Sequence, residues 1–92
     1  MALYQIKISY DGTDLHGYQR QTQQRTVQGE IEIALKKIGW TGQSIMSAGR
    51  TDTGVHADGQ IAAFNFEWRH SLKALQNAIN ANLPEDVSVT EI

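Results

Sequence analysis

The chain has 92 residues, 40% of them hydrophobic, with a formal charge of -2 and no cysteine. That length suits one small domain with one core, and the lack of thiols excludes a disulfide framework, a thiolate nucleophile and a cysteine-based metal site. No apolar run is long enough to cross a bilayer, and the opening Met1-Ala2-Leu3-Tyr4-Gln5-Ile6-Lys7 lacks the apolar stretch of a secretory signal, so a soluble cytoplasmic protein is expected. His16, His56 and His70 are not at metal-site spacing, and no metal is expected. The acidic balance argues against nucleic-acid binding by bulk electrostatics. Distribution matters more: Arg20, Arg25 and Arg50 fall in loops, whereas Glu30, Glu32, Glu85, Asp86 and Glu91 fall in or beside regular elements, which leaves room for a local basic cleft.

Tyr4, Ile6, Ile8 and Tyr10 alternate with polar residues, the period of a half-buried strand, and Asp11-Gly12 closes it. A polar loop from Thr13 to Arg25 is long for so small a domain, which favours a functional loop over a connector. Thr26 is placed to cap a helix with Val27, Ile31, Ala34, Leu35 and Ile38 on one face, Glu32 and Lys36 as an i,i+4 pair, and Gly39 at its end. Ser44 to Ala48 and Gln60 to Phe66 read as two antiparallel strands, with Phe64 and Phe66 assigned to the core. Ser71 caps a second helix with Leu72, Leu75, Ala78 and Ile79 at helical spacing, ended by Asn82 and Pro84. Val87 and Val89 mark a short last strand. The order predicts an α+β domain: a ferredoxin-like βαββαβ arrangement, with a four-stranded antiparallel sheet and two helices on one face. The open face of such a sheet is a common place for RNA, although shape alone does not assign function.

Between the two central strands lies Ala48-Gly49-Arg50-Thr51-Asp52-Thr53-Gly54-Val55-His56-Ala57, dense in turn formers, charge and hydroxyls. Loops of this kind carry chemistry more often than packing. Gly49 and Gly54 let backbone approach a substrate closely, while Arg50 offers a planar fork for phosphate or carboxylate. Asp52 is a candidate nucleophile, general base or structural acceptor, and Thr51 and Thr53 add hydroxyls. The plainer alternatives are a turn capped by Asp52, a salt bridge made by Arg50 within its own loop, and a hydrogen-bonding role for His56. In the earlier loop, Tyr18, Gln19 and Arg20 suit stacking on, hydrogen bonding to and neutralising a nucleotide; a solvated loop is the competing reading.

These blocks resemble the N-terminal half of the TruA-type tRNA pseudouridine synthases, and the likeness runs along essentially the whole chain. Ser9-Tyr10-Asp11-Gly12-Thr13 with Gly17-Tyr18-Gln19-Arg20-Gln21 is similar to that family's opening block. Arg25-Thr26-Val27-Gln28 with Ile31-Glu32 and Ala34-Leu35 resembles its first helix, Ala48 to Ala57 its signature loop, and Ile79-Asn80-Ala81-Asn82-Leu83-Pro84 the block before its next strand. The resemblance implies an isomerase that detaches uracil from ribose and rejoins it through carbon in the anticodon stem-loop of tRNA, at positions 38 to 40, on a nucleotide flipped out of the stack. Asp52 falls on the family's nucleophile, attacking either C6 of uracil or C1′ of the sugar, and Arg50 on the arginine that holds the flipped nucleotide and orients the aspartate. Thr51, Thr53, Gly54, His56, Tyr18, Gln19 and Arg20 are the accompanying candidates for substrate binding. No metal or organic cofactor is implied, and the complete protein is expected to be a homodimer acting on tRNA, with no membrane association. Residues 1–92 would be one domain that lacks the C-terminal half, and would therefore have little or no activity alone.

Two other classes fit less well. Asp52-Thr53-Gly54 matches the aspartic-protease triplet, in which two such carboxylates share a proton across a dimer, but Gly49-Arg50-Thr51 is not an apolar strand and two amphipathic helices do not suit that fold. A non-catalytic RNA-binding module shares the expected strand order, yet the third-strand region Asp58-Gly59-Gln60-Ile61-Ala62-Ala63-Phe64-Asn65-Phe66 has no basic residue at its head.

Overall fold

The computed structural model describes residues 2–11, 15, 25–47 and 57–92. Within them the order is β1 (Ala2–Tyr10), α1 (Val27–Lys37), β2 (Met46–Ser47), β3 (Ala57–Phe66), α2 (Leu72–Ala81) and β4 (Val87–Glu91). The α+β class expected from the pattern is the class observed. Strand β1 is central: it pairs antiparallel with β3 along its length, from Ala2 opposite Phe66 to Tyr10 opposite Ala57, and with β4 from Lys7 to Tyr10. β2 adds a two-residue pairing on the far side of β3, giving the order β2-β3-β1-β4.

One apolar face explains why these elements meet. Ile6, Ile8 and Tyr10 of β1, Ala62, Phe64 and Phe66 of β3, and Val87 and Val89 of β4 are all buried, and they share one cluster with Val27, Ile31, Ala34 and Leu35 of α1 and Leu75 and Ile79 of α2. The period of two along the strands and the helical spacing of the others put all of them on facing surfaces. Phe64 and Phe66 lie in this core as expected; Tyr4 packs on Phe64 with ring centroids 5.9 Å apart. Leu72 departs from expectation. It is the first residue of α2 and is 52% exposed.

Caps set the helix ends. The Thr26 hydroxyl accepts from the Gly29 amide at 3.2 Å, and the Ser71 hydroxyl from Ala74 at 3.1 Å. Gly39, at φ 105°, takes the left-handed conformation that releases the chain from α1. At Gly42 the backbone lies against the Trp40 ring so closely that a Cβ there would clash with it. That ring is buried and donates through Nε1 to the Asn65 carbonyl at 3.0 Å, so it cannot step aside cheaply.

Glu32 corrects the sequence reading. Instead of pairing along the helix surface with Lys36, it is 2% exposed and turned inward. One carboxylate oxygen accepts from the Gln28 amide at 2.9 Å and from the Ile45 backbone amide at 3.0 Å, while Gln28 also donates to the Ser44 hydroxyl at 3.0 Å. The Ile45 amide is thus bound by a side chain of α1, and β2 starts at Met46 rather than at the expected Ser44, while the expected end at Ala48 lies outside the described residues. β3 is longer than expected, starting at Ala57 rather than Gln60. A register shift sets Ile8 opposite Gln60 but Ser9 opposite Asp58, leaving Gly59 as the extra residue of a bulge. Pairing with β1 thus carries the strand through the turn formers Asp58-Gly59.

A second bulge serves charge. Opposite β1, Ile8 faces Val89 and Lys7 faces Glu91, so Thr90 is the extra residue. In a regular strand Glu91, two residues after the buried Val89, would point into the core. The bulge reverses that and sets its carboxylate 3.4 Å from Lys7 Nζ on the open face. Asn80 of α2 then covers the outer edge of β4, accepting from the Val89 amide at 2.8 Å and donating to its carbonyl at 3.0 Å.

Two substitutions test this packing. Gly42→Ala should destabilise the domain by about 1–3 kcal/mol through overpacking against Trp40. Glu32→Ala should cost about 1–3 kcal/mol by leaving the Ile45 amide and Gln28 without their buried acceptor. Urea unfolding followed by tryptophan fluorescence measures both, with wild-type midpoints as the contrary outcome.

Candidate functional site

Every candidate site residue from the sequence lies outside the described residues: Arg50, Asp52, Thr51, Thr53, Gly54 and His56 in one segment, Tyr18, Gln19 and Arg20 in the other. What the structure fixes is where those two segments are rooted. Asp11 precedes one, Ala57 follows the other, and Tyr10 and Ala57 are direct partners in the β1–β3 ladder. Tyr10 also pairs with Val87, so the end of β1, the start of β3 and the start of β4 stand side by side. With neighbouring strands about 4.8 Å apart, all three lie within roughly 10 Å. The described residues that border these two segments, which are separated by more than twenty residues of chain, therefore stand at one end of the sheet.

Their remaining feet are also held. Segment 48–56 leaves from Ser47, whose strand is positioned through Glu32 and the Ile45 amide. Segment 12–24 returns at Arg25, which stands just before the Thr26 cap of α1. The Arg25 guanidinium donates through Nη1 and Nη2 to the two Asp86 carboxylate oxygens at 2.9 and 2.5 Å, and through Nε to Glu30 at 3.1 Å. Hydrogen bonding to Asp86 and, less strongly, to Glu30 holds the Arg25 proton more tightly than usual, against a smaller opposing effect of burial. Because that raises an already high value, Arg25 loses its contribution only as strongly alkaline pH passes through the folded-state pKa, and at any ordinary pH it is a fixed cation. Leu15, between the two feet, is 1% exposed and belongs to the core. The sequence reads this stretch as a polar loop and assigns Leu15 no place in the core.

The sequence reading singled out neither Asp86 nor Leu15 as anchors. Asp86 sits beside Pro84 and Glu85 and looks like one more acidic turn residue; its distant partner Arg25 is visible only in three dimensions. Leu15 was legible in principle as the lone large aliphatic residue of a polar stretch.

The open face of the sheet is a poor nucleic-acid surface. Among the described residues it presents Gln5, Lys7 and Ser9 from β1, Ile61, Ala63 and Asn65 from β3, and Ser88 and Thr90 from β4. Lys7 is their single cation, and it is paired with Glu91. The aromatic residues of β1 and β3 all lie on the helix-covered side, where they cannot stack on bases. This counts against the RNA-binding-module reading and moves attention to the loop-bearing end. Among the described residues, no group of His, Asp and Glu is arranged to hold a metal ion, and no helix is long and apolar enough to cross a membrane.

Comparison with known proteins bears on what that end does. A family model described as tRNA pseudouridine synthase matches residues 6–92. The chain is 52% identical over 90 residues to tRNA pseudouridine synthase A of Thermosipho melanesiensis, covering 97% of this chain and 37% of that protein. It is 54% identical over 86 residues to the protein of the same name from Thermotoga petrophila, covering 92% and 35%, and 46% identical over 93 residues to that of Streptococcus equi, covering 100% and 37%. The chain thus spans little more than a third of the length of these relatives. With the match extending from the middle of β1 through β4, the chain belongs to the tRNA pseudouridine synthase family.

Proposed function

We propose that this chain is the part of a tRNA pseudouridine synthase that carries the catalytic aspartate, acting on uridines of the anticodon stem-loop at positions 38 to 40. The observation that supports it best is the convergence of both candidate segments on one sheet end, in a chain matched by the family from residue 6 to residue 92. Asp52 is the nucleophile. Its carboxylate adds to C6 of the uracil or to C1′ of the ribose; the N1–C1′ bond breaks, the base turns, a C5–C1′ bond forms, and the proton on C5 leaves to solvent while N1 gains one. The reaction is an isomerisation with no net change of atoms or electrons, and it needs no metal or organic cofactor.

Arg50 holds the flipped nucleotide through a phosphate and orients Asp52, as a planar guanidinium is suited to do. Thr51, Thr53, Gly54 and His56 complete the near wall. Tyr18, Gln19 and Arg20 approach from the neighbouring segment to stack on, hydrogen-bond to and neutralise the substrate. The order β2-β3-β1-β4 with helices between alternate strands supports the ferredoxin-like pattern as the scaffold. A longer synthase supplies the opposite wall and further basic residues, which reconciles an RNA substrate with a formal charge of -2. The complete enzyme is a cytoplasmic homodimer, and residues 1–92 alone turn over little or no tRNA.

Tritium release from tRNA labelled at uridine C5 tests this directly. In the complete protein, Asp52→Ala should lower turnover by roughly 10³-fold or more. Circular dichroism should be unchanged. The isolated 92-residue chain should release little or no tritium, and near-normal turnover by it would refute the divided cleft.

A further inference from the structure

Asp86 touches both feet of segment 12–24. Its backbone carbonyl accepts from the Asp11 amide at 2.9 Å, and its two carboxylate oxygens receive the Arg25 fork at 2.9 and 2.5 Å. The next residue, Val87, is the one that pairs with Tyr10. On the other side, Arg25 is tied to Glu30 in the first turn of α1, so the fork joins α1 to the start of β4 across 61 residues of chain. Leu15, buried in the core, pins the segment between its feet.

We infer that Asp86 and Arg25 are positioning residues of the proposed synthase: one carboxylate, gripped by one guanidinium, holds together Asp11 and Arg25, the two fixed points between which Tyr18, Gln19 and Arg20 lie in the sequence. The inference rests on the reading given under Proposed function. Stability alone is a weak reason for this arrangement. Arg25 is 36% exposed and Asp86 22% exposed at the side chain, and ion pairs so placed contribute little to folding. What a bidentate fork with a third donor supplies is geometry, since it fixes a plane and a direction that a point charge does not. Small misplacement of a substrate-holding segment is costly to a reaction that depends on orientation.

The test uses the complete synthase and tritium-labelled tRNA. Arg25→Lys keeps the charge and loses the fork; Asp86→Asn keeps the shape and loses the charge. Each should lower kcat/KM by about 10- to 100-fold, carried mainly by KM, with the melting temperature within about 2 °C of the parent. Joined in one protein, the two changes should cost no more than the larger single one, as expected of two halves of one contact. Amide hydrogen exchange at Asp11 should rise about tenfold in Arg25→Lys, while Ile8 in the middle of β1 stays protected. Unchanged kcat and KM in both variants, with Asp52→Ala inactive, would overturn the positioning role and leave the synthase reading intact. Substantial turnover by Asp52→Ala would instead defeat the synthase reading, and Asp11 exchange would still judge the clamp: unaltered exchange in Arg25→Lys would overturn it as well.

Discussion

Strand β1 is hydrogen-bonded along both edges only between Lys7 and Tyr10, and the described residues that border the two candidate segments, Asp11 and Ala57, adjoin that stretch. Tyr10 there faces Ala57 on one side and Val87 on the other, and its ring is buried against the helices. Backbone pairing on both edges with a side chain locked in the core leaves β1 almost no freedom of register, because a slip of one residue would turn Ile6, Ile8 and Tyr10 to solvent. Asp11 and Ala57, the described residues that border the two candidate segments, stand at this locked end.

Two bulges lie within this short stretch, one on each neighbour of β1. Bulges add local twist and often re-aim a strand near a functional site. Here the one in β4 has a visible electrostatic purpose, moving Glu91 off the buried face, and the one in β3 lets Asp58 and Ala57 continue the ladder to the end of β1. The arrangement combines an apolar face with a charged strand end without burying the charge.

How much of this was legible in the sequence depended on whether the signal was local. The caps Thr26 and Ser71, the core period of β1 and the burial of Phe64 and Phe66 were all readable because propensity, patterning and packing agree at those positions. Glu32 misled for the opposite reason. Its spacing from Lys36 fits a surface pair, and only the return of the chain at Ser44 and Ile45 makes an inward carboxylate worthwhile. The true starts of β3 and β2 were hidden likewise, since one is set by a partner some fifty residues away and the other adjoins an amide bound by a side chain of α1. For the candidate site, the family resemblance rested on contiguous blocks and was plain in the sequence. The residues that anchor those blocks, Asp86 and Leu15, were not, because their importance lies in contacts across the fold.

Within residues 1–92, the central strand is made well before its second neighbour, β4. Lys7 to Tyr10 wait for Val87 to Glu91 before their outer edge is satisfied, a closure spanning nearly the whole chain. Such non-local pairing pays its ordering entropy before it is rewarded, which slows folding relative to helix-rich domains of equal size. For a nascent chain on the ribosome, the β1–β3 ladder is available once Phe66 has emerged, but the corner where Tyr10, Ala57 and Val87 meet is not. The strand end at which both candidate segments have a bordering residue is thus completed only after translation has passed it by some eighty residues.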